Sequence, residues 1–139
     1  MTIPIPDAYL AGLFDGEGTV IITAPTPSAP RRHRLQVRIC MTHEPTIRSV
    51  HAAAGAGTVR RVEASRWRPN AKDRWDWTVT GPTAGDFLLR IRPWLRTKAA
   101  AADIALEFLT IQNTRGVKLS TETLARRDAC RRRLRLVNA

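Results

Sequence analysis

Asp15 and Glu17 stand on either side of Gly16, at the end of a segment, Leu10-Ala11-Gly12-Leu13-Phe14-Asp15-Gly16-Glu17-Gly18, that carries no other charge. Carboxylates are the hard oxygen donors that Mg²⁺ takes, with substrate phosphates and waters completing its shell. The rest of the chain is suited to hold an anion. Lys and Arg total 23 against 12 Asp and Glu, a formal net charge of +11 on 139 residues. Arginine dominates that excess, which favours bidentate contact with phosphate and guanine over point-charge attraction. A carboxylate delivered to a metal, on a basic chain whose natural partner is a polyanion, is chemistry these residue types suit. From the residues alone two plainer readings stay open: a glycine C-cap with two exposed acids, and a basic surface of the ribosomal or membrane-surface kind.

The small residues around the acids constrain what positions them. Ala8, Gly12 and Gly16 recur every four residues and line one side of a helix, while Leu10, Leu13 and Phe14 fall on another. Each glycine inside a helix costs about 1 kcal/mol relative to alanine. A close helix–helix contact compensates, because missing side chains let two backbones approach. Pro6 and Asp7 open this helix. The run Thr19-Val20-Ile21-Ile22-Thr23 then predicts a strand to about residue 24.

A turn-like stretch, residues 25–30, leads to a second strand over 31–42. Glu44 and Pro45 start a second helix to about Ala54, closed by Gly55 and Gly57. Strands over 58–63 and 72–80 follow, separated by a loop over 64–71. Gly81-Pro82-Thr83 begins a third helix to about Arg92, Pro93 breaks it, and a fourth covers about 96–112. Ser120 and Glu122 start a basic C-terminal helix to about Leu136. The fold class is α+β, with the order αββαββα plus extra C-terminal helices. The antiparallel four-stranded sheet has one face on the helices and one open. The whole chain, 1–139, reads as one domain, with a core over about 6–112 and a basic helical extension over about 118–139.

Strand parity selects the open face. Thr19, Ile21 and Thr23 alternate on the first strand, and Arg34, Gln36, Arg38, Cys40 and Thr42 on the second. Arg60 and Arg61 lie on the third, and Arg74, Asp76 and Thr78 on the fourth, with Trp75 and Trp77 assigned to the core. Arg and Gln suit guanine and adenine edges, and Asp accepts from cytosine, in a major groove that admits a β-ribbon. Arg31, Arg32, Arg66, Arg68 and Lys72 fall at strand ends and loops, and are assigned to phosphates. Arg126, Arg127, Arg131, Arg132, Arg133 and Arg135 read as a basic helix clamping the backbone, or simply solvated.

Double-stranded DNA is therefore the expected partner; no membrane and no small-molecule substrate is expected. No run of 18 apolar residues, secretory h-region or lipidation motif occurs. Two isolated cysteines, Cys40 and Cys130, make neither a disulfide framework nor a zinc site, and the three histidines show no ligand spacing. A cytoplasmic location, or the organelle or nucleoid holding the target DNA, is expected.

Leu10 to Gly18 resembles the signature of the LAGLIDADG homing endonucleases. Leu10, Ala11, Gly12, Leu13, Asp15 and Gly18 agree with it, and Phe14 and Gly16 are common variants. Glu17 stands at the eighth position, where aspartate is commoner. The resemblance implies the αββαββα fold with a saddle-shaped sheet. It also implies that Glu17 binds the catalytic metal with the Gly16 carbonyl beside it, the ion being Mg²⁺, with Mn²⁺ or Ca²⁺ able to occupy the same position. Pro93-Trp94-Leu95-Arg96-Thr97-Lys98 resembles the family's Pro-aromatic-Leu-x-x-Lys element, which puts Lys98 beside the scissile phosphate. Ala101 stands where a glutamine is frequent. His43 occupies a position where relatives carry a residue that places the catalytic water, and Arg48 follows one turn on. One copy of the motif implies a homodimer through Ala8, Ala11, Gly12, Asp15 and Gly16, with Asp15 capping or orienting the partner helix. The implied activity is site-specific double-strand cleavage of a long pseudo-palindromic site, serving the mobility of an intron or similar element. An intron-encoded RNA maturase and a catalytically inactive DNA-binding regulator of the same fold are the alternatives.

Overall fold

The computed structural model describes residues 4–27, 33–65, 68–111 and 120–138. Pro6, with an extended backbone, precedes α1 (Asp7–Glu17), and the chain passes through Gly18 straight into β1 (Gly18–Thr23). That turn is tight. A Cβ on Gly18 would lie 2.2 Å from Cδ2 of Phe14, whose ring is wholly buried, so only glycine fits. β2 (Arg34–Met41) leads to α2 (Glu44–Ala54), with Pro45 in its first turn and Gly55 ending it at φ +70°. β3 (Thr58–Val62), β4 (Arg74–Thr80), α3 (Gly81–Ile91) and a 3-10 turn (Arg92–Trp94) follow, then α4 (Ala99–Thr110) and α5 (Thr121–Asn138).

The strands form one antiparallel sheet in the order β1-β2-β4-β3, so β1 and β3 are its edges. The helix-side face carries Val20, Ile22, Leu35, Val37, Ile39, Trp77 and Val79, all buried. Phe87 of α3 meets both Phe14 and Trp77 edge-on, with centroids 5.9 and 4.8 Å apart. The Trp77 indole N–H donates to the Ala56 carbonyl at 2.9 Å, which satisfies its one polar atom. Trp77 is therefore core, and Trp75 shares its face.

Element order follows the sequence, as do the strand faces except at Arg61, and the ends differ for identifiable reasons. β4 starts at Arg74, two residues later than expected, because Asp73 serves the preceding loop. Its carboxylate accepts the Ala64 amide at 2.8 Å and pairs with Arg61. α4 starts at Ala99 rather than Arg96, because the Arg96 and Lys98 amides are held outside the helix by Asp15.

The C-terminal helix departs furthest from expectation. α5 packs its Cys130 and Leu134 into the core, and Arg127 goes in with them at 4% exposure. The Arg127 guanidinium lies 4.3 Å above the Phe108 ring centroid of α4 and donates to the Ile111 and His33 carbonyls at 3.2 and 2.8 Å. Arg131 and Arg132 pair with Asp128, which also meets buried His33 at 3.1 Å. Arg133 pairs with Glu107 of α4 at 2.6 Å. At the helix end, the Asn138 amide donates to the Val20 carbonyl at 3.0 Å, so α5 closes the β1 edge of the sheet. Four of the six arginines of this run are occupied inside the chain, which corrects the reading of the whole run as a clamp on DNA and leaves Arg126 and Arg135 exposed. No described helix is long and apolar enough to cross a membrane.

Candidate active site and nucleic-acid interface

Four elements meet at the end of the acidic motif. Asp15, in the last turn of α1, accepts the Arg96 amide at 2.9 Å and the Lys98 amide at 3.0 Å. Its own carbonyl accepts the Thr97 hydroxyl at 3.0 Å. Burial acts to raise the Asp15 carboxyl, but the Lys98 and Arg96 amides, the Thr97 hydroxyl and the Lys98 charge outweigh it and hold the pKa below the ordinary carboxylate value. Asp15 thus fastens the end of α1 to the entry of α4 in the same chain. The structure differs here from the expectation that it caps a partner helix. The pairing also carries Lys98, half-buried as the residue just before α4, to the motif that ends in Glu17.

Glu17 is exposed, and among the described residues no hydrogen bond or ion pair engages its carboxylate. Glu17 is the last residue of α1 and directly precedes β1, whose first residue, Gly18, pairs with Ile39 of β2. The donors there, an exposed Glu17 carboxylate and the Gly16 carbonyl next to it in sequence, are hard oxygens of the kind that Mg²⁺ takes together with phosphate and water. Among the described residues no group of three or more His, Cys, Asp and Glu side chains clusters as a ligand set.

The open face of the sheet carries the expected rows. Thr19, Arg38 and Thr78 are cross-strand neighbours, as are Ile21 and Gln36, and Thr23 and Arg34. Thr80 and Thr58 belong to the same face and were missed, because neither charge nor aromaticity marks them. Cys40, Asp76 and Arg60 form another row. Here one assignment changes character. The Asp76 side chain is 4% exposed and lies beneath Arg60 and Arg74, 3.8 Å from each, while those two are 77% and 53% exposed. A carboxylate so covered does not present itself to a cytosine edge; it holds two guanidinium groups outward. Burial and the Asp76 carboxylate push the Cys40 thiol up to about 11, so Cys40 stays a neutral side chain on this face.

Arg61 does not belong to the face. It stands opposite Trp75, on the helix-side parity, and pairs with Asp73. The error is a parity one: adjacent strand residues point to opposite faces, so Arg60 and Arg61 cannot both read one groove. Arg68 and Lys72 are exposed in the β3–β4 loop, and Thr42 is exposed just past β2. Arg31, Arg32 and Arg66 lie outside the described residues. His43 is exposed immediately before α2, its Nδ1 2.6 Å from the Thr46 hydroxyl, and Arg48 pairs with Glu44 at 3.3 Å. No hydrogen bond joins His43 or Arg48 to Asp15, Glu17 or Lys98 among the described residues.

On the outer side of α1, Ala8, Gly12 and Gly16 are exposed in one stripe, and a Cβ on either glycine would meet nothing within 4 Å. Ala11 is not part of it: it is fully buried in the chain's own core, beside Leu10 and Phe14. The expected interface set thus reduces to Ala8, Gly12 and Gly16, since Asp15 is engaged within the chain.

This architecture is that of the LAGLIDADG homing endonucleases. The chain is similar to the homing endonuclease I-CvuI, solved in complex with its target, at a TM-score of 0.77 and 20% identity over 94% of this chain and 80% of that one. It is similar to the homing endonuclease I-TnaI at a TM-score of 0.68 and 18% identity, over 98% and 97% of the two chains. Against the LAGLIDADG homing endonuclease I-LtrWI, solved bound to target DNA, the TM-score is 0.72 at 17% identity, and 93% of this chain covers 44% of that one. No protein-family model matches the sequence, and no curated protein matches it significantly. This chain carries the fold once: it spans most of I-CvuI and I-TnaI but under half of I-LtrWI.

Proposed function

We propose that the protein is a homodimeric, Mg²⁺-dependent, site-specific DNA endonuclease that makes a double-strand cut in a long pseudo-palindromic site. One observation carries this reading: Asp15 ties the end of α1, two residues before Glu17, to the backbone of Arg96 and Lys98 at the entry of α4, in a chain whose open sheet face bears arginines. The similar structures solved on their target DNA support it. The exposed small-residue stripe beside the acids supports the dimer, as does the match to less than half of I-LtrWI. Mobility of an intron or similar element is the biological role this activity serves.

Roles follow from position. Arg34, Gln36, Arg38, Arg60 and Arg74 hold and read the duplex, the guanidinium groups of the last two kept outward by Asp76. Glu17, with the Gly16 carbonyl, would hold the metal, and in a dimer joined along α1 the two Glu17 carboxylates come close across the two-fold axis. Their repulsion favours cation binding there. When bound, the metal lowers the pKa of its water and stabilises charge on the phosphoryl oxygens. Lys98 contributes a cation to a non-bridging phosphate oxygen as negative charge builds during attack. His43 is the candidate for orienting the attacking water, freed from Thr46 to do so.

The deciding assay is cleavage of a randomised plasmid library with Mg²⁺, with Glu17→Gln run alongside. Linearised plasmid with a recurring junction sequence is the expected result. Failure of the native protein to cut a recovered high-affinity site overturns the nuclease reading, and equal cutting by the variant removes Glu17 from the chemistry. Light scattering that returns one copy per duplex overturns the dimer.

A further inference from the structure

The arginines of α5 divide sharply by what they touch. Arg127 is buried, Arg131 and Arg132 meet Asp128, and Arg133 meets Glu107. Arg126 and Arg135 are exposed, with no ion pair among the described residues, and of the two the groove beside β1 is lined by Arg135. Arg135 lies one turn before Asn138, on the side that the Asn138–Val20 hydrogen bond holds against β1. There the helix and the strand enclose a groove of about 360 Å³ lined by Val20, Ile21, Ile22, Arg131, Leu134, Arg135 and Asn138. Ile21 belongs to the open face of the sheet, beside Gln36, so the groove opens onto that face at its β1 border.

We propose that this groove is a further DNA-backbone site, in which Arg135 holds a phosphate of the duplex lying on the sheet, with Arg131 at the groove wall and the Ile21 side chain against the adjoining sugar. Charge complementarity names the occupant. One uncommitted and one partly committed guanidinium, placed along an apolar strand edge, suit an alternating sugar–phosphate chain. The site extends the proposed DNA-binding face and rests on that reading. It assigns to α5 one principal contact with the substrate, through Arg135, while Arg127, Arg131, Arg132 and Arg133 hold the helix in place.

The test is binding of the native protein, Arg135→Ala and Arg133→Ala to a mixed-sequence duplex of about 40 base pairs across a salt series. Loss of one phosphate contact lowers the magnitude of the slope of log K against log salt by about 0.9. In the proposed dimer Arg135→Ala removes two such contacts per duplex, so a slope change of about 1.8 is expected, with affinity at low salt falling roughly tenfold to a hundredfold. Arg133→Ala, which loses the same charge on the α4 side, keeps the native slope, and circular dichroism shows both variants folded. An unchanged slope for Arg135→Ala, or the same change in Arg133→Ala, overturns the groove while leaving DNA binding standing. A native protein that does not bind the duplex overturns both readings. Hydroxyl-radical footprinting supplies the second readout: the native footprint includes a protected sugar that Arg135→Ala loses, and identical footprints overturn the site.

Discussion

The first and last helices of this chain teach opposite lessons about charge. α1 carries Asp7, Asp15 and Glu17 and no cation, yet it bears the candidate metal carboxylate and the open stripe. α5 carries six of the 23 cationic side chains, and spends four of them on Phe108, Asp128, Glu107 and two backbone carbonyls. Function concentrates where groups are left unpartnered, and a dense charge run is no guide to that. A single acid with nothing bound to it says more about the chemistry than six arginines in a row of turns.

The contrast can be broken at several points. Glu17→Gln should lower cleavage by about 1,000-fold or more while affinity for DNA stays within a few-fold, the pattern of a group that acts in the transition state. Arg127→Ala, with an unchanged active site, should instead cost about 3 kcal/mol of stability, because it removes buried packing and strands two carbonyls. A midpoint shift in urea unfolding reads it, and a loss below about 0.5 kcal/mol would return α5 to the class of solvated surface helices. Gly12→Leu should convert the dimer to a monomer, raising the dimer dissociation constant about 30-fold or more, for about 2 kcal/mol of lost association. Its monomer should be no less stable than the native one, since a Cβ there meets nothing within 4 Å and glycine inside a helix costs about 1 kcal/mol. Unchanged dimer mass in sedimentation would remove α1 from the interface.

Asp15 gives a smaller and pH-dependent effect. Its folded pKa is depressed, so the stability it contributes is fully present above the ordinary carboxylate pKa of about 3.9 and disappears as pH falls through the folded value. Asp15→Asn should cost about 1 kcal/mol near neutral pH and flatten the acid limb of the stability profile, read by urea titration from pH 2 to 7. The smallest effect belongs to Arg132→Ala. Its pair with Asp128 is exposed, and removal should change stability by less than about 0.5 kcal/mol.

Much of this architecture was readable from residue pattern. Alternation in residues 34–42 put Arg34, Gln36, Arg38 and Cys40 on one face, and the register agrees at each position. The helix starts at Pro45 and Pro82 came from local stereochemistry, which needs no tertiary context. What was hidden depends on contacts distant in sequence. Asp15 reads as an exposed acid until the amides of Arg96 and Lys98 are placed beside it. Arg127 is one arginine among many until Phe108 lies beneath it. Asp76 looks like a base-reading group because parity gives the face and not the depth, and only the flanking Arg60 and Arg74 bury it. Ala11 was misplaced because a four-residue period marks a side of α1 and does not say which neighbouring residues share it.

The three glycines of the opening motif also differ in what would preserve them. Gly18 is required by the Phe14 ring of its own chain, whereas nothing in the chain occupies the space beside Gly12 or Gly16. A saturation library sorted only for folded, soluble protein should therefore retain glycine at position 18 and admit alanine and larger residues at 12 and 16. The same library sorted for cleavage should restore glycine or another small residue at all three. Subtracting the first enrichment map from the second would draw the outline of the partner subunit on α1, with no second chain ever observed.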